Sequence, residues 1–157
     1  MAITFDGSYT GLTTFTGLTN PTYTSVSDTS VSNPRAKQHA VTAAGGTQTN
    51  VRVHSVGDPF LVRFLPPASY KTRPAANPIT GKYPSIPYNV HSLMVQKGTN
   101  FASGENPLPS WIETRIGLAA GSELTDPANI RAMVCFYAAL LQEIAPGLAE
   151  TLVTGIP

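Results

Sequence analysis

The sequence predicts an α+β fold: an N-terminal β-hairpin and an antiparallel sheet, followed by two C-terminal helices. Three observations predict it. Short runs in which apolar and polar residues alternate recur from residue 3 to residue 118, the pattern of half-buried strands. Tight links containing Gly or Pro separate several of these runs, and short links join antiparallel neighbours. Beyond residue 120 the period changes to that of a helix. At 157 residues the chain is long enough for a single domain with its own core. That domain divides into a hairpin (1–18), a sheet (36–118) and a helical end (126–154).

Taken in order, residues 3–9 and 12–18 alternate and are joined over Thr10-Gly11, which predicts the hairpin. Residues 19–34 are rich in Ser and Thr and are expected to be an extended connector. Further strands are predicted over 36–42, 49–56, 60–65, 88–97 and 111–118, with Ala43-Ala44-Gly45-Gly46 and Gly57-Asp58-Pro59 as tight connections. In 49–56, Val51 and Val53 alternate with Arg52 and His54, so the basic side chains are expected on one face. In 111–118, Ile112, Thr114 and Ile116 alternate with Trp111, Glu113 and Arg115. One face is therefore apolar and suited to helices, and the other is polar, basic and aromatic. Two longer proline-bearing loops, 66–87 and 98–110, punctuate the sheet, and loops of that kind usually carry contacts or function.

The helical end is well marked. Asp126 offers a carboxylate to the free amides of a first turn, and Pro127 sits where a missing N–H is harmless. Ile130, Met133, Val134, Tyr137, Leu140, Leu141 and Ile144 form one stripe, while Ala132, Cys135, Phe136, Ala138 and Ala139 are apolar off it. Such a helix has to be covered on more than one side. A partner subunit is the expected cover, with Ile130, Met133, Val134, Phe136, Tyr137, Leu140 and Leu141 as dimer-interface candidates. Ala145-Pro146-Gly147 is expected to break the helix, leaving a second short one around Leu148, Leu152 and Val153.

The formal net charge is only +1, but it is unevenly distributed. Residues 35–97 hold eight Lys and Arg against the single acid Asp58, together with all three histidines, while residues 98–157 carry a net −4. A basic middle between acidic ends fits a polyanion surface. The single Cys135 lies in the predicted helix and has no intrachain partner, so no oxidising compartment is required. Neither a secretory leader nor an uninterrupted apolar run of about 18 residues is evident. A soluble cytosolic protein with no membrane partner is expected.

Catalysis has little support in the sequence. His39, His54 and His91 could be combined with Asp58 and a serine on paper. There is, however, no nucleophile elbow, no metal-spaced His/Cys cluster and no phosphate-binding glycine loop. No catalytic residue, cofactor or metal is therefore expected.

The residues that close the chain carry a resemblance. Thr125-Asp126, then Arg131-Ala132-Met133-Val134 and Ala138-Ala139-Leu140-Leu141, then a last turn ending in Thr154-Gly155-Ile156, following a hairpin and an antiparallel sheet, resemble the coat protein of single-stranded RNA (levivirus-like) bacteriophages. The resemblance is clearest over residues 110–157. It implies a five-stranded sheet per subunit, an intertwined homodimer with a ten-stranded sheet, and helices that lie across the partner. It further implies an icosahedral virion capsid assembled in the bacterial cytoplasm. Single-stranded genomic RNA would be held on the inner sheet face, with an RNA hairpin bound there as translational repressor. By position along the strands it implies RNA contacts at Trp111 and Glu113, with Arg52, His54 and Arg63 on the middle strands; Arg115 and Lys37 complete the candidate set. A non-capsid dimeric β-sheet RNA-binding module is the alternative, and a hydrolase ranks third.

Overall fold

The computed structural model describes residues 3, 5–11, 15–29 and 35–156. Six antiparallel strands form one sheet in chain order: β1 (Ser8–Thr10), β2 (Leu18–Asp28), β3 (Lys37–Gln48), β4 (Phe60–Leu65), β5 (Tyr88–Thr99) and β6 (Leu108–Ala119). A single helical turn, α1 (Ser122–Thr125), leads into the long helix α2 (Pro127–Thr154). Every sheet neighbour is also a sequence neighbour, so the sheet is an extended meander with β1 and β6 at its edges.

Several boundaries differ from those expected, each for a physical reason. The sheet has six strands among the described residues rather than five, because β1 and β2 join it, the latter built from the Ser/Thr-rich stretch, while 49–56 does not. Thr and Tyr suit a pleated surface, and β2 uses them between β1 and β3. The strand expected over 12–18 falls partly outside the described residues, and only Leu18 of its remainder is in β2; of the connector, 30–34 also lie outside. Ala43 to Gly46 do not turn the chain but run within β3, past bulges in the β2–β3 register. Gly46 has φ of 74°, and an added Cβ at Gly45 or Gly46 would collide with Thr22 or Asn20. These glycines permit close approach of two strands rather than a reversal.

Residues 49–56 form no ladder strand; they make an excursion closed by a tight turn in which Ser55 and Asp58 exchange backbone bonds of 2.9 and 3.2 Å. At the other end of the chain the expected helix break does not occur. α2 continues through Pro146 to a left-handed cap at Gly155, so two helices become one turn and one helix of 28 residues. The cap at its start is as expected, with Asp126 accepting from the Asn129 amide at 3.4 Å. Its continuity also makes α2 long and apolar enough to cross a membrane by length and composition, although its apolar run is interrupted by charged and polar residues.

The core is sparse for a chain of this length. Ala40, Val41 and Ala120 are the buried apolar residues among the described positions, with Pro21 fully enclosed. No residue of α2 is buried: Phe136 is 71% exposed and Met133 and Val134 are each 48% exposed. Large contiguous apolar surface of this kind marks an interaction site. α2 is tied to the sheet by the Thr114 and Tyr137 hydroxyls, 2.8 Å apart, over a cleft of about 210 Å³ lined by Thr114, Ile116, Met133, Val134 and Tyr137.

Candidate functional site

The β3–β6 register sorts the candidate side chains, because residues directly opposite in neighbouring strands share a face. Gln38, Arg63, Met94 and Glu113 form one row across four strands. Gln96 with Trp111, and Ser92 with Arg115, are parallel rows on the same face. Trp111, Glu113, Arg115 and Arg63 are thus brought together. The opposite face carries Val62, Val95 and Ile112 in one row and Phe64, Leu93 and Thr114 in the next. Tyr137 meets Thr114 there, so α2 takes the apolar face.

The open face has its own internal chemistry. Trp111 is 65% exposed on the edge strand, so its ring is available for stacking. Glu113 is held by Arg115 Nε at 3.1 Å and Ser92 Oγ at 2.8 Å. The hydrogen bond from Arg115, then that from Ser92, keeps the Glu113 carboxyl below the ordinary glutamate range. A shallow hollow of about 260 Å³ adjoins this pair, lined by Leu65, Pro66, Pro67, Val90, Ser92, Glu113 and Arg115. Arg63 Nη2 reaches Met94 Sδ at 3.6 Å in the same row. Cations, an aromatic ring and a hydrogen-bond acceptor on one flat surface can together meet phosphate, base face and base edge.

The other basic candidates lie elsewhere. Lys37 is opposite Phe64, on the apolar face, and its Nζ donates to the Ile3 carbonyl at 2.6 Å. Arg52 is not on a strand. Its Nε pairs with Asp58, and its Nη2 donates to the Gly98 carbonyl at 3.2 Å and to Asn100 Oδ1 at 2.9 Å. His54 Nδ1 accepts from the Phe60 amide at 3.1 Å, which holds the excursion to β4. The expected basic face of 49–56 is therefore corrected: tertiary partners, not strand alternation, aim these side chains. The basic middle is also dispersed, for Arg73 lies over the Tyr83 ring at 5.3 Å within the long loop.

One surface was not anticipated from the sequence. On the apolar face Tyr9, Tyr23, Val41, Phe60, Val62 and Val95 line an open hollow of about 340 Å³. Burial pushes the Tyr23 hydroxyl up from its ordinary value, and the Tyr9 hydroxyl is buried without a partner among the described residues. The seven helix residues expected at a dimer interface are exposed or half-buried. Among the described residues no group of His, Cys, Asp and Glu could hold a metal ion.

Compared with solved structures, the chain is similar to the virus-like particle of bacteriophage ESE020. The two superpose with a TM-score of 0.92 and are 35% identical over 99% of this chain and 100% of that one. No protein-family profile and no curated protein matches it.

Proposed function

The chain belongs to the single-stranded RNA bacteriophage coat-protein family, and we propose that it acts as a homodimer from which an icosahedral shell is built around RNA. As a capsid protein of a virus-like particle it is structural rather than enzymatic. The observation that carries the dimer reading is the uncovered helix: 28 largely apolar residues, none of them buried within the chain.

The geometry supports a cover at the β6 edge. β6 is a 12-residue edge strand with a free ladder of amides and carbonyls, a template for pairing with a second copy. Joining two sheets at β6 makes a twelve-stranded sheet, not the ten-stranded one expected from the resemblance. From Tyr137, seated over its own β6, the helix rises about 25 Å to its end. That is the width of about five strands, enough to carry Leu140, Leu141 and Leu148 across the partner's apolar face.

The opposite face remains for RNA. Arg63 and Arg115 supply phosphate contacts that weaken with salt, Trp111 stacks an unpaired base, and the Glu113 carboxylate accepts from a base edge. A hairpin bound on this face would also give the protein a repressor role. With the edge and the helix both consumed by association, no membrane is needed to cover α2.

Electron microscopy of purified protein, with the ratio of absorbance at 260 and 280 nm, tests this reading. RNA-filled closed shells are the expected result. Small particles free of nucleic acid at every concentration and salt would overturn it.

A further inference from the structure

Asp58 stands at a junction that neither the sheet nor the helix explains. The residue is 7% exposed, yet it is charged and lies in a turn of the 49–59 excursion. Both its oxygens are used, Oδ2 by Arg52 Nε and Oδ1 by Lys97 Nζ at 2.9 Å. Arg52 then passes the connection onward, from Asp58 to the Gly98 carbonyl and the Asn100 side chain. Asn100 in turn donates from Nδ2 to the Glu105 carbonyl at 3.4 Å, across the β5–β6 loop. Gly98 is shaped for this arrangement, since a Cβ there would collide with Asp58 Oδ1. Three separate pieces of chain, the excursion, the end of β5 and the β5–β6 loop, are thus joined through one carboxylate.

We propose that Asp58 is an acid-released latch, holding the β5–β6 loop in one shape while ionised and freeing it when neutralised. This goes beyond the capsid reading and does not depend on RNA binding. The groups facing Asp58 are Arg52 from the excursion and Lys97 from β5; the loop presents Asn100 and the Glu105 backbone, while His54 accepts from the Phe60 amide. Burial alone would raise the Asp58 carboxyl, but hydrogen bonds and charge from Arg52 and Lys97 outweigh it and hold the carboxyl below its ordinary value. Once protonated, Asp58 no longer attracts either cation. Arg52 then loses the carboxylate that orients its guanidinium toward Gly98 and Asn100, and the loop loses its tie.

Hydrogen–deuterium exchange of the full-length protein, followed over residues 98–107 as a function of pH, tests the latch. After correction for the intrinsic pH dependence of exchange, the wild-type loop should lose protection about tenfold or more, the equivalent of one charge-assisted hydrogen bond. The loss should come as the pH falls below roughly 4, the ordinary aspartate range. Asp58→Asn should show the open loop already at neutral pH and no acid step. Gly98→Ala, which displaces the carboxylate without changing charge, should also open the loop at neutral pH, and it provides a second route should Asp58→Asn fail to fold. Wild-type protection in both variants overturns the latch. So does a wild-type step near neutrality, because that assigns the control to a group other than Asp58.

Discussion

The Tyr137 hydroxyl on α2 lies 2.8 Å from the Thr114 hydroxyl on β6. That bond sets which helical turn rests on the edge strand, and so how much helix overhangs it. Everything after Tyr137 is free to reach a second subunit.

Leu141 is 37% exposed on that overhang, and a carboxylate there would be buried without a partner on association. Tyr137→Asp and Leu141→Asp are expected to abolish dimers and shells together, as read by size-exclusion chromatography and electron microscopy. Tyr137→Phe removes one hydrogen bond of about 1 kcal/mol and should leave shells intact. Normal shells from Leu141→Asp would rule out α2 as the clamp.

On the other face, Trp111→Ala should weaken RNA binding by roughly 1 to 3 kcal/mol, the worth of one base stack. Dimers should still form, because the ring points away from α2. Arg63→Ala and Arg115→Ala should instead lower the salt dependence of binding, by about one unit in the slope of log K against log salt for each lost phosphate contact. Unchanged RNA content in all three variants would mean that RNA lies elsewhere.

Asp58 also makes a prediction for global stability. Its carboxyl is depressed in the folded chain, so the stability it contributes is fully present above the unfolded-state value, near pH 4. It is lost as pH falls through the lower folded-state value. Urea unfolding across that window should show a loss of stability in the wild type that is absent in Asp58→Asn. At pH 7 the variant should be weaker by about 2 kcal/mol, the scale of hydrogen bonds to a charged group. Equal stability at pH 7 would show that the ion pairs contribute nothing net.

Pro146 lies inside α2, where it removes one backbone donor and crowds the preceding turn. Pro146→Ala is expected to stabilise the protein by about 1 to 3 kcal/mol, seen as a raised melting temperature. A loss of stability would show that the proline's shape is needed in the assembled protein.

The elements visible in the sequence were those whose local pattern agrees with their surroundings. Trp111, Glu113 and Arg115 alternate with Ile112, Thr114 and Ile116 because β6 has one apolar and one open face, and that contrast survives in the letters. The Asp126-Pro127 start of α2 is equally local. Residues 49–56 also alternate, but Arg52 is drawn to Asp58 and Asn100 by charge and hydrogen bonding, which sequence distance conceals. β2 was hidden for the opposite reason: its Ser and Thr residues look like a linker until β1 and β3 supply ladder partners. Pro146 marked a plausible stop, yet helix on both sides carries the backbone through. Of the candidate surface, the half on β6 was legible. The Tyr9 hollow and the Asp58 junction were not, since each gathers residues from distant strands.

The exposed helix has one more consequence, for how the molecule comes into being. On the dimer reading, a chain whose longest helix has no buried residue of its own completes its fold only by associating, so folding and association would share one equilibrium governed by mass action. The midpoint of unfolding should then climb with protein concentration. Newly made chains would commit to their structure only as their number in the cell rises, which links the onset of particle formation to the quantity of protein synthesised.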